Sequence, residues 1–162
     1  MANNKAERQR VRQVIAQTSV AMFVTLDDHG DHQGRPMLPL LVDNDPHIYL
    51  LTRQSSRKVT HVEARPQVGL MISAADSYFS IVGRADISRD AQLIGRLWHP
   101  SYRAWFPGGR DDREVTVLRV SVDRIDYWEP PRSRFVRVFQ AARAVLTGRA
   151  VETPMKSLDG LT

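Results

Sequence analysis

Residues 48–66, IYLLTRQSSRKVTHVEARP, place two hydroxyls (Ser55, Ser56) and three cations (Arg53, Arg57, Lys58) at one junction. There an apolar run ending at Thr52 hands over to a short helical pattern closed by Pro66. Free N–H groups at a helix N-terminus, hydroxyl donors and cations together suit a phosphate. Arginine can grip it with two parallel hydrogen bonds, and lysine adds a compact charge. The spacing puts Ser55 or Ser56 at the N-cap and Arg57 and Lys58 in the first turn. Cations there oppose the helix dipole, a conflict that an anion resolves. A serine cap with solvated cations is the plainer alternative.

Other candidate sites are weaker. His29 and His32, with Asp28 and Asp31, fall between two strand patterns and read as a solvated hairpin turn, not a metal centre. His47, His61 and His99 are scattered, and no nucleophile–base pair can be read from them. Trp98, Trp105 and Trp128 fit core or interface anchoring, and the WFPGG run at 105–109 could also set an aromatic against a flat ring.

These residues need a frame. Val11, Val14 and Ile15 recur at helical spacing within 5–17. Residues 20–27, 35–43, 47–52, 67–73, 77–88 and 114–130 read as strands, the last alternating through Val115, Val117, Val120 and Val122. Pro36 and Pro39 point to an edge or a bulge in the second strand. Helices are expected near 56–64 and, capped by Asp90, near 90–98. Six short strands with three short helices predict a mainly β fold, an antiparallel barrel.

The 162 residues suit one domain, and 42% hydrophobic content supports a core. No run approaches the roughly 18 apolar residues of a membrane span, and the N-terminus lacks an apolar signal core. There is no cysteine, which excludes disulfides, thiol catalysis and thiolate metal sites and fits a cytoplasmic location. The net charge is +5, but residues 131–162 hold six basic residues against two acids, leaving the body near neutral. Nucleic-acid binding through a folded basic face is therefore not expected. We read 1–130 as the folded domain and 131–162 as a basic, partly mobile extension with a helix near 136–146.

GRPM (34–37), the 48–73 segment, YFSIVGRADISRD (78–90), RAWFPGGRDD (103–112) and VLRVSVDRIDYWEP (117–130) resemble the pyridoxamine 5′-phosphate oxidase-like FMN-binding split barrels, most closely the general stress protein 26 branch. The resemblance covers about residues 8–130 in consistent order. It implies a six-stranded split barrel, a homodimer with FMN at the interface, and a flavin oxidoreductase with a small-molecule electron donor and acceptor. FAD is possible in place of FMN. By position, Arg35, Ser56, Arg57 and Lys58 would grip the FMN phosphate. Leu51 and Thr52 would line the flavin, with Pro36 and Met37 beside it, and Trp105 would reach it from the partner chain.

The substrate half of the oxidase pattern is missing. Leu40 stands where the true oxidases carry a phosphate-binding lysine, and Tyr78 stands near their glutamine. Their C-terminal arginine-x-histidine has no counterpart, so oxidation of pyridoxamine phosphate is not expected. The alternatives are a non-catalytic flavin-sequestering stress protein, or a split barrel for the deazaflavin F420 or for haem.

Overall fold

The computed structural model describes residues 2–74, 77–129 and 155–161. Among them, one antiparallel sheet of eight strands curls around the main core. Its order is β2 (His32–Met37), β1 (Ala21–Leu26), β5 (Gln67–Ala74), β6 (Ser77–Ser88), β7 (Val115–Trp128), β4 (Ile48–Arg53) and β3 (Leu40–Leu41). The eighth strand, β8 (Met155–Asp159), also pairs with β7. This is the mainly β split-barrel architecture expected, with two strands more than the six read from sequence. The predicted strand at 35–43 breaks after Met37 and resumes as the two-residue β3, and the prolines at 36 and 39 flank the break. The short β8 has one fully inward apolar residue, Leu158, too little alternation to announce itself.

Period-2 patterning explains the strands. Ala21, Phe23 and Thr25 of β1 point inward, as do Val68, Leu70 and Ile72 of β5 and Phe79 and Ile81 of β6. β7 departs from the pattern: Val115, Thr116, Val117 and Leu118 are all buried. It lies between two cores. Leu118 and Val120 join the barrel interior, while Val115 and Val117 face a second cluster with Tyr49, Ile94, Leu97 and Phe106. The ladder between β6 and β7 carries a bulge at Val82/Gly83. A Cβ on Gly83 would fall 2.2 Å from the Ser121 carbonyl oxygen, so only glycine fits.

Helix α1 (Ala2–Gln17) buries Val11 and Ile15 in the main core. Polar contacts tie it down: Arg12 donates to the Asp45 and Val42 carbonyls, Arg8 to the Asp159 carbonyl, and the Tyr127 hydroxyl to Glu7. Helix α2 (Arg57–Ala64) packs Val59 and Val62 against the barrel. Helix α3 (Ala91–Leu97) is capped as predicted, with Asp90 accepting from Gln92 N and Leu93 N. A 3-10 turn at Pro100–Ala104 leads into the segment holding Trp105 and Phe106. Of the region set apart as an extension, residues 155–159 belong to the sheet, and Leu158 and Leu161 enter the core. The helix expected near 136–146 lies outside the described residues.

Candidate functional site

In the 48–66 stretch a strand hands over to a helix, as its pattern predicts. β4 ends at Arg53, a tight turn covers 53–56, and α2 begins at Arg57. Backbone and side chain of Glu114, beside β7, hold the turn. Gln54 N donates to its carbonyl at 2.8 Å, and Ser55 donates to its carboxylate through Oγ at 2.5 Å and N at 3.3 Å. Ser55 is thus spent on structure. Ser56 occupies the N-cap position, yet its side chain accepts no capping hydrogen bond; its Oγ lies 3.3 Å from Thr52 Oγ1. That leaves the N–H groups of the first turn without a side-chain cap.

Lys58 folds back over the same hydroxyls, with Nζ donating to Thr52 Oγ1 at 3.0 Å. Thr52 is only 5% exposed, so this contact is largely sheltered. Arg35 arrives from β2. Register pairs it with Phe23, which puts it on the inward face of β1–β2, where Nη1 donates to the buried Thr25 Oγ1 at 2.8 Å. Burial, then the nearby Arg35 charge, lower the Lys58 ammonium below its usual value. Burial, then the Arg57 charge, do the same to Arg35. Three cations therefore crowd one another, and no carboxylate forms an ion pair with any of them among the described residues.

Beside them opens a cleft of about 740 Å³, within the usual range for small-molecule sites. Arg35, Pro36, Met37, Leu51, Thr52, Ser56, Lys58 and Trp105 all line it. Of the sequence-predicted residues only Arg57 is off the wall; it is exposed at the head of α2. Trp105, expected to act from a partner chain, stands at the mouth of its own chain's cleft and is 62% exposed. Its segment is held by Arg53, whose Nη2 donates to the Trp105 carbonyl at 2.7 Å and whose guanidinium sits 5.9 Å from the Phe106 ring centre. Leu40, at the position of the oxidases' lysine, adds an apolar surface. Among the described residues, no Asp, Glu or His lines the cleft.

Sequence reasoning missed Thr25, His61 and Glu114. Thr25 carried a signal: a hydroxyl in phase with the inward Ala21 and Phe23. His61 and Glu114 act through contacts 36 and 59 residues away, which no local pattern reveals. The HGDH stretch lies at the β1–β2 turn, where Asp27 accepts from the backbone N–H groups of His29 and Asp31. Among the described residues, no helix is long and apolar enough to cross a membrane.

The curled antiparallel sheet defines a split-barrel protein. The family model for pyridoxamine 5′-phosphate oxidase-like proteins matches residues 6–152, and the chain belongs to that family. It is 26% identical over 83 residues to General stress protein 26 of Bacillus subtilis, covering 48% of this chain and 59% of that relative's length. The crystal structure of General stress protein 26 from Bacillus anthracis str. Sterne superposes with a TM-score of 0.69 at 20% identity, covering 77% of this chain and 95% of that one. The general stress FMN/FAD binding protein from Xanthomonas citri superposes at 0.70 with 24% identity, covering 80% and 92%. At these identities the structural likeness speaks for the fold.

Proposed function

We propose that this protein binds FMN in the 740 Å³ cleft, with Arg35, Ser56, Arg57 and Lys58 around the ribityl phosphate. One observation carries the reading: sheltered cations that repel one another converge on hydroxyl groups and the open N-terminus of α2, without a carboxylate partner among the described residues. A phosphate would supply the missing negative charge. Leu51 and Thr52 would line the ring system, Pro36 and Met37 would lie along it, and Trp105 would close the mouth. FAD would use the same phosphate contacts.

Bound flavin supplies electron transfer through its isoalloxazine ring. The chain's own residues bind, orient and shield it. Arg35 and Lys58 place positive charge in the cleft, and the apolar wall keeps water from the ring. Two uses follow: an oxidoreductase with a small-molecule donor and acceptor, or a flavin-holding protein. With no Asp, Glu or His among the described lining residues, either use would rely on the flavin itself and not on a side chain that moves protons in the neutral range.

A second copy of the chain would cover the outer face of the barrel beside the cleft. Met22 and Met71 stand opposite each other there, 43% and 42% exposed, and Val20 and Leu38 are exposed at the cleft itself. Sedimentation of the purified protein tests this, and a monomer at working concentration refutes it. We place the protein in the cytoplasm on its lack of cysteine.

The deciding measurement is the visible spectrum of the purified protein, followed by FMN fluorescence quenching. Flavin bands or tight saturable quenching support the reading. A colourless protein that ignores FMN defeats it. Steady oxidation of NADH or NADPH with an acceptor would then separate the oxidoreductase from the flavin holder.

A further inference from the structure

Thr25 Oγ1 lies between two nitrogens, Arg35 Nη1 at 2.8 Å and His61 Nδ1 at 2.9 Å. A guanidinium can only donate, so Thr25 accepts from Arg35. Thr25 is 1% exposed, and these are its two side-chain partners among the described residues. Its own hydroxyl proton therefore has one acceptor in reach, His61 Nδ1. A proton on Nδ1 would make Thr25 accept twice and leave a buried hydroxyl with nothing to donate to, which is costly. The ring must carry its proton on Nε2.

We propose that His61 is a positioning residue for the anion site: in its Nε2–H form it holds Thr25, and through Thr25 it fixes the Arg35 guanidinium. The proposal rests on the reading of the cleft as a phosphate site. Arg35 needs such a hold. It is repelled by Arg57 and partly stripped of water, and Thr25 is its side-chain hydrogen-bond partner among the described residues. Helix α2 thereby serves the site twice, with Lys58 and Arg57 at its head and His61 one turn further on.

The test compares the affinities of FMN and riboflavin, which differ by the phosphate alone. The wild-type protein should prefer FMN. His61→Ala should lower that preference about tenfold, the order expected for one sheltered hydrogen bond to a charged group. His61→Asn, whose Oδ1 takes the place of Nδ1, should restore most of it. Long-range ¹H–¹⁵N correlation on the wild-type protein at pH 8 should show His61 protonated on Nε2. An unchanged preference in folded His61→Ala, or a proton on Nδ1, overturns the proposal. If His61→Ala does not fold, the tautomer and the His61→Asn preference decide it. A wild-type protein that does not prefer FMN to riboflavin would instead overturn the phosphate reading itself, so the two failures are distinct.

Discussion

Two clefts share the wall formed by Ser19 and Val20, and they differ in what their charges are doing. The larger, about 950 Å³, runs between α1 and the β5–β6 hairpin and is lined by Gln9, Gln13, Gln17 and several hydroxyls. Among its described lining residues the one cation, Arg10, is paired with Glu129 at 2.5 Å. In the smaller cleft Arg35 and Lys58 donate to hydroxyls and, among the described residues, pair with no carboxylate. Volume favours the first cleft; uncompensated charge marks the second. Desolvated cations without a counter-ion cost free energy unless something completes them. The size of a cavity carries no such demand.

The strongest way to break this contrast is Arg57→Ala with Lys58→Ala. It should weaken FMN binding by about 2 kcal/mol or more, the order expected for losing charge-assisted contacts. Equal affinity in a folded double variant, read by fluorescence quenching, would sink the phosphate assignment. Thr52→Val removes the hydroxyl between Lys58 and Ser56 while nearly keeping shape, and should cost about 1 kcal/mol of FMN affinity by titration.

A pH series sharpens the point with a smaller effect. Burial and Arg35 lower Lys58 in the free site, so its proton is lost below the ordinary 10.5, whereas a bound dianion would retain it. FMN affinity should therefore be full at neutral pH and fall as pH rises through that lowered range. Lys58→Gln should flatten the fall. The stability of the free protein should move oppositely there, since the unfolded chain binds the extra proton. A wild-type profile that stays flat through the ordinary lysine value of 10.5 would argue against a sheltered lysine in the site.

The smallest effect is expected at the other cleft. Arg10→Met should change FMN affinity by under about 0.3 kcal/mol and cost at most about 1 kcal/mol of stability, because its ion pair is partly exposed. A large loss of FMN binding there would mean that the wrong cleft was chosen.

The legible parts of the molecule were those governed by local pattern. Alternation located the long strands, Asp90 announced the cap of α3, and the hydroxyl–cation junction at 53–58 announced the turn. Arg35 had no local signature and came only from family resemblance; in the fold, register with Phe23 turns it inward. The direction of Ser56 was not legible, since a serine at an N-cap usually bonds its helix, and here its hydroxyl lies instead against Thr52, which also accepts from Lys58. β8 was invisible because its place depends on β7, about thirty residues earlier, rather than on its own composition.

That last strand changes what removing the C-terminal region would do. Cutting the chain at residue 130 takes away most of the net charge, but also the partner of 124–128 in β7 and the side chains of Leu158 and Leu161. The shortened chain would offer a raw strand edge over an unroofed core, a template for self-association. A synthetic peptide of residues 155–161 supplied in trans would be the natural complement, restoring by annealing what the deletion removed.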